Sequence, residues 1–186
     1  MAINLSKGGQ LNIGKGLTKV GVGLGWDPNK GAGFDFDLDA SAFRLGANRK
    51  LPQDEFFVFY NNLKSSDGAV ESSGDDTTGG SSDGDDETLT VDLNKVDPRI
   101  QEIVFTVTIH DYEARKQNFG QVRNSFIRIY NAETDEEIAK YELTEDFSVE
   151  SAIEFGRLHR SNGQWKFEAM GIGYLGGLQF FVKKYA

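Results

Sequence analysis

Two runs of carboxylates hold the chemistry of this sequence. From Asp67 to Glu87 the chain reads DGAVESSGDDTTGGSSDGDDE, with eight acids (Asp67, Glu71, Asp75, Asp76, Asp83, Asp85, Asp86, Glu87) and no Lys or Arg. The whole chain has 29 acids against 20 bases; without those eight acids, 21 remain against 20 bases, so the formal charge of -9 is concentrated in one stretch. The second run is Phe34–Asp39, FDFDLD. Strand alternation sets Asp35, Asp37 and Asp39 on one face and Phe34, Phe36 and Leu38 on the other. Like charges ~6–7 Å apart along a strand face repel one another. A plain solvated strand would intersperse Lys or Thr.

Carboxylates this dense call for a cation. Calcium and magnesium are hard ions that take oxygen ligands, and Ca²⁺ accepts ~6–8 of them at ~2.3–2.6 Å. Gly74, Gly79, Gly80 and Gly84 let the backbone bend and offer carbonyl oxygens. Thr77, Thr78, Ser81 and Ser82 add hydroxyls. No His or Cys lies in the stretch, which disfavours zinc and copper. The candidate ligands are Asp27, Asp35, Asp37, Asp39, Asp75, Asp76, Asp83, Asp85 and Glu87, with Asn62, Asp86 and Asp111 secondary. If the acidic loop folds over the end of the Phe34–Asp39 strand, carboxylates from both surround one or two ions. The competing readings are a solubilising acidic loop with no specific ion and a Mg²⁺-dependent hydrolase or phosphotransferase.

Other chemistries fit poorly. An EF-hand loop needs acidic or Asn groups at positions 1, 3 and 5, Gly at 6 and Glu at 12. Counted from Asp75, Thr77 and Gly79 hold positions 3 and 5; counted from Asp35, Ala40 stands where the glycine belongs and Gly46 at position 12. The chain has no Cys, so it has no disulfide, thiolate site or thiol redox chemistry. His110 and His159 are the only histidines. His110 reads as a strand-end residue with Asp111 capping a short helix, and His159 as an exposed residue beside a hairpin. Gly21-Val22-Gly23-Leu24-Gly25 lacks the G-x-G-x-x-G spacing of a nucleotide loop and no helix pattern follows it. It reads as a strand packed closely on its neighbours. Arg115, Lys116 and Arg123 form a small basic cluster that does not amount to a nucleic-acid site.

The elements that must position these groups are mostly strands. Apolar alternation marks Val20–Leu24, Phe34–Ala42, Leu89–Leu93 and Ile103–Ile109, and Phe56–Tyr60 is a continuous apolar run. Phe126–Tyr130 and Ile138–Leu143 are further strands. Asn162-Gly163 is a two-residue hairpin signal between Ile153–Arg160 and Trp165–Met170. Helix is scarce: Tyr112–Asn118 makes two turns, and Leu178, Phe181, Val182 and Tyr185 give an amphipathic C-terminal helix entered through a glycine turn over 171–177. Many short strands with Gly-rich turns predict a mainly β fold, a β-sandwich.

With 186 residues, 38% of them hydrophobic, and 14 Phe, one domain over 1–186 is expected, its acidic metal-binding loop at 67–87. No apolar run approaches the ~20 residues of a membrane span and no secretory signal opens the chain, which points to a cytoplasmic protein without membrane insertion. The acidic balance argues against nucleic-acid partners.

Long motifs resemble the tellurium-resistance TerD family: Leu5-Ser6-Lys7-Gly8-Gly9, Val22–Asp27, Phe34–Phe43, Phe59–Leu63, Gly74–Gly79, Asp83–Glu87, Phe119–Val122, Leu143–Asp146, Trp165–Phe167 and Gly171–Gly177. The resemblance runs from end to end. It implies a two-sheet β-sandwich with short helices and a non-enzymatic module binding Ca²⁺, two ions, through the acidic region. It further implies a role in resistance to tellurite and other stresses, exercised through other tellurium-resistance proteins, membrane-associated ones among them. One position departs from the family pattern: Asp76 stands where that signature has Asn. The absence of thiols argues against direct reduction of tellurite by this chain.

Overall fold

The alternation read along the chain folds into two sheets whose apolar faces meet. The computed structural model describes residues 2–80 and 84–186. Among these, the strands are β1 (Ile3–Leu5), β2 (Gln10–Asn12), β3 (Lys19–Gly25), β4 (Leu38–Leu45), β5 (Phe57–Val58), β6 (Val70–Ser72), β7 (Glu87–Asp92) and β8 (Glu102–Ile109). The chain continues through helix α1 (Tyr112–Arg115), strands β9 (Phe126–Asn131), β10 (Glu137–Glu142), β11 (Ala152–Ser161) and β12 (Gln164–Tyr174), and helix α2 (Gly177–Tyr185). One six-stranded sheet runs β1-β10-β9-β3-β7-β6 and the other β2-β12-β11-β8-β4-β5. Val20, Val22, Leu24, Leu89 and Val91 of the first sheet meet Leu38, Ala42, Ile103, Phe105 and Val107 of the second in one buried core. This is the expected β-sandwich. Among the described residues, no helix is long and apolar enough to cross a membrane.

The glycine-alternating strand is explained by its outer face. A side chain at Gly21 would collide with the Tyr130 ring, and one at Gly23 with the Asp85 carboxylate. β3 is thus smooth on the outside so that groups from β9 and the acidic loop can lie flat on it. The hairpin signal holds: Asn162 (φ 51°) and Gly163 (φ 76°) are both left-handed between β11 and β12, as a type I′ turn requires. The C-terminal helix forms as expected, burying Phe181 and Tyr185 against Phe43, Val104 and Met170 on the outside of the second sheet.

Several elements differ from expectation. The strand read from Phe34 begins only at Leu38, because its partner β8 ends at Ile109, opposite Leu38, and leaves Phe34–Asp37 without a ladder. In the apolar run from Phe56, only Phe57 and Val58 make a strand; Asp54–Phe56 is a 3-10 turn. Gly171 and Gly173 lie within β12 rather than in a turn, and only Gly176 and Gly177 lead into α2. Helix α1 is one turn, not two: it is bounded by left-handed Asp111 (φ 49°) and Lys116 (φ 53°), and Asp111 makes no side-chain capping bond. An N-cap needs extended backbone to turn its carboxylate onto the helix, and Asp111 does not have it. β1, β2 and β6, three residues each, are too short for periodicity to reveal.

Candidate metal centre

The site lies at the edge of the sandwich where β5 is too short to flank the whole of β4. β5 pairs with β4 only at Ala42 and Phe43, so the Ala40 N–H on that edge has no strand to meet. Glu87, the first residue of β7 in the opposite sheet, points inward and accepts from Ala40 N at 2.7 Å. Its other oxygen accepts from Asp76 N at 3.3 Å. One buried carboxylate therefore joins the two sheets and anchors the acidic loop.

Against this clamp the structure gathers Asp37, Asp39 and Asp75. One carboxylate oxygen from each lies within 4.8 Å of the others. Asp37 and Asp39 come from the approach to β4 and its start, and both are buried; Asp75 arrives from the acidic loop and is exposed. The loop-over-strand arrangement expected from sequence is thus present for these three. A donor set of three convergent carboxylate oxygens suits a hard cation.

The electrostatics show how poorly this cluster tolerates its own charge. Burial, then the negative charges of Asp37 and Asp75, push the Asp39 carboxyl up to about 7. Burial raises Asp37 as well, against the opposing pull of His110 and Arg115. Burial pushes Glu87 up to about 9, with Asp39 and Asp75 adding to the shift and its two backbone hydrogen bonds opposing it. Few basic side chains stand near the cluster. Arg115 Nη1 stands 3.3 Å from Asp37 Oδ2. His110 Nδ1 is 3.7 Å from Asp39 Oδ2 and its Nε2 3.5 Å from Asp111 Oδ2. His110 is therefore part of the rim of the site rather than an incidental strand-end residue. Asp111 joins that rim through His110.

The remaining candidates are elsewhere. Asp35 is exposed and is not one of the convergent carboxylates; its carbonyl, with that of Phe34, accepts from Gln117 Nε2. Asn62 donates to Phe57 O at 2.6 Å and closes the turn after β5, so it serves that turn. Asp76 Oδ1 accepts from Thr78 N, Thr78 Oγ1 and Gly79 N, shaping the loop. Asp85 sits over Gly23 and accepts from Arg128 Nε at 2.8 Å, which pins the end of the loop to the outer face of β3. Asp83 lies outside the described residues.

Asp27 and Asp86 line a separate cleft of 480 Å³ with Trp26, Gly79, Gly80 and Gly84. Asp27 Oδ2 accepts from Asn124 Nδ2 at 2.8 Å, and Asp86 Oδ2 accepts from Trp26 N at 2.8 Å. Trp26 is the hinge of this region: its Nε1 donates to Phe36 O at 3.1 Å, and Gly79 packs flat against its ring.

Two residues of the site do not stand out in the sequence. Arg115 shows there only as one of a basic cluster; the signal that could find it is that aligned aspartates need a counter-charge. His110 escapes because neighbours in a strand face opposite ways. The strand ends at Ile109, however, so that rule no longer applies to His110 and Asp111.

The chain matches the family model "TerD domain" over residues 1–185. It is 52% identical over 188 residues to the tellurium resistance protein TerD of Alcaligenes sp, covering 100% of this chain and 97% of that protein. It is 52% identical over 189 residues to general stress protein 16U of Bacillus subtilis (strain 168), again covering 100% of this chain and 97% of the relative. Among solved structures, a protein of unknown function superposes with a TM-score of 0.74 at 26% identity, covering 90% of this chain and 96% of that one. A homologue of telluride resistance protein (TerD) from Streptomyces coelicolor A3(2) gives a TM-score of 0.73 at 22% identity, covering 89% and 95%, a likeness of fold alone.

Proposed function

The chain belongs to the TerD family, and we propose that it is a non-enzymatic calcium-binding module of the stress response, in the same broad role as its tellurium-resistance and general-stress relatives. The single observation that carries this reading is the convergence of Asp37, Asp39 and Asp75 within 4.8 Å. Two of the three are buried, and Asp39 is pushed up to about 7 by burial and by its neighbours. Water or a proton relieves such a cluster only in part; a divalent cation offsets two of its three negative charges and draws the oxygens together. Asp37, Asp39 and Asp75 would hold the ion, and Glu87 would hold the loop that supplies Asp75. A second ion would draw on Asp27 and Asp86 across their glycine-lined cleft.

Oxygen-only ligands on an adjustable loop favour Ca²⁺ over Mg²⁺, which is smaller, demands near-ideal octahedral geometry and gives up water reluctantly. The ion would bind loop to strand at the sandwich edge and so alter the surface offered to partner proteins in the cytoplasm. The test is calorimetric titration of chelator-stripped protein with Ca²⁺ in a large excess of Mg²⁺, beside an Asp75→Ala control. Saturable binding that weakens in the variant supports the reading. Absence of binding, or binding to Mg²⁺ in preference, overturns it.

A further inference from the structure

Arg115 is the one guanidinium paired with the three-aspartate cluster among the described residues. It reaches Asp37 from α1, a single turn none of whose residues is buried, lying between two left-handed residues. Its backbone neighbourhood is nonetheless fixed. Gln117 Nε2, two residues on, donates to Phe34 O at 2.9 Å and to Asp35 O at 3.2 Å. The main chain is thus tied to the turn before β4 while the Arg115 side chain reaches across it.

The guanidinium also has a second place to go. Its carbon is already 5.6 Å from the centroid of the Phe34 ring, which is 61% exposed. Arg115, Phe34 and Lys116 line a cleft of 500 Å³ whose walls include none of the three aspartates. An arginine turned out of the cluster keeps a cation–π partner and gains water, so displacing it costs little.

We propose that Arg115 is a tethered counter-ion that occupies the charge deficit of the metal centre, and that an incoming cation must displace it from Asp37. Arg115 is then a specificity-determining residue: it sets the affinity of the site and a valence threshold for entry. A monovalent ion brings no more charge than the guanidinium already present and gains nothing by exchange. A divalent ion brings twice the charge and wins, since the Coulomb attraction to a fixed set of carboxylates scales with the charge of the ion. Binding would also move a positive side chain from the cluster to the Phe34 cleft, turning ion occupancy into a change of surface charge some way from the ion.

This inference depends on the calcium-binding reading, and one set of titrations separates the two. Wild-type protein, Arg115→Gln, Arg115→Lys and Lys116→Gln are stripped with chelator and titrated with CaCl2 at low and high KCl. The Arg115 and Asp37 side chains are mostly covered, and removing one partner of such a pair is worth at least the few-fold effect of a surface pair, so Arg115→Gln is expected to tighten Ca²⁺ about three- to tenfold. Arg115→Lys should stay near wild type, and Lys116→Gln, which removes an exposed neighbouring charge, should change affinity less than Arg115→Gln. In chelator, Arg115→Gln should melt below wild type because the cluster loses its counter-ion; in saturating Ca²⁺ the difference should vanish or reverse. A merely structural arginine would lower stability in both conditions and weaken binding. If Arg115→Gln binds Ca²⁺ as wild type does or more weakly, or if Lys116→Gln tightens it equally, the proposal falls while the calcium reading stands. If wild type itself takes up no Ca²⁺, both fall.

Discussion

Replacing Asp39 with Asn should stabilise the protein in chelator and destabilise it in saturating Ca²⁺. The residue is 6% exposed, so solvent does little to screen it. Its carboxyl is raised from 3.8 to about 7 by burial, then by Asp37 and Asp75. At ~1.4 kcal/mol for each tenfold change in proton affinity, that rise corresponds to about 4 kcal/mol. This is the cost, fully developed well above pH 7, of holding Asp39 ionised in the cation-free fold. Asn keeps the shape and removes the charge, so at pH 8 it recovers up to about 4 kcal/mol. For a chain of this size ~1 kcal/mol moves the melting temperature by about 2–4 °C.

With Ca²⁺ present the sign reverses. A ligand at 1,000 times its dissociation constant stabilises the native state by about 4 kcal/mol. Wild type gains that increment and the variant, lacking a central ligand, gains little of it. The assay is thermal unfolding of both proteins in chelator and across a Ca²⁺ series, and the two melting curves should cross. If Asp39→Asn melts lower than wild type in chelator, the cluster is not a repulsive site awaiting a cation. If it keeps the full Ca²⁺-induced shift, Asp39 does not hold the ion.

Stability in chelator should fall as pH rises from about 4 to about 9. Asp39 and Glu87 have raised folded values, about 7 and about 9, so their contribution is complete below pH 4 and is lost as each ionises. Ca²⁺ affinity should run the other way, strengthening through pH 7 with proton release that calorimetry in buffers of different ionisation heat will register. Glu87→Ala should cost about 1–3 kcal/mol by urea unfolding because the Ala40 N–H is left without a partner, whereas Glu87→Gln, which keeps that acceptor, should cost less than about 1 kcal/mol. Gly23→Ala should cost about 1–3 kcal/mol, since a methyl group there evicts the Asp85 carboxylate from the face of β3. It should also weaken Ca²⁺ binding without touching a ligand; unchanged affinity would show that the far end of the loop does not position Asp75.

The strands of the sandwich are readable because each buries one face, and burial on one face writes a period of two into the sequence. The glycines of β3 are readable for the opposite reason: they mark where a side chain is forbidden. What periodicity cannot express is where a ladder ends. Phe34–Asp39 alternates as a strand would, yet the β8 ladder reaches only to Leu38, and before it Asp35 is exposed while Asp37, whose carbonyl accepts from His110 N, is buried. The acidic loop is legible as a charge excess, but the roles within it are not. Asp75 meets the cluster, while Asp76 shapes a turn and Asp85 answers Arg128, forty-three positions away. Pairings at that separation leave no local trace, and the same holds for Glu87 and Ala40, forty-seven positions apart.

The position of the site explains why so much acid can be held in one place. β5 covers two residues of β4, and the edge it leaves open exposes a backbone donor to the other sheet. Glu87 meets that donor because β7 lies opposite β4 at the same edge, and in doing so it draws the acidic loop over the start of β4. The carboxylates of the cluster then come from both layers: Asp37 and Asp39 lead into the second sheet, and Asp75 precedes a strand of the first. A cation placed among them would tie the layers together at the point where the ladder is incomplete. Under that arrangement, stabilising the fold and sensing the ion are one event, since the free energy of binding goes into closing the same edge. Arg115 fits the same logic as a weaker closure built into the chain, holding Asp37 until a stronger one arrives.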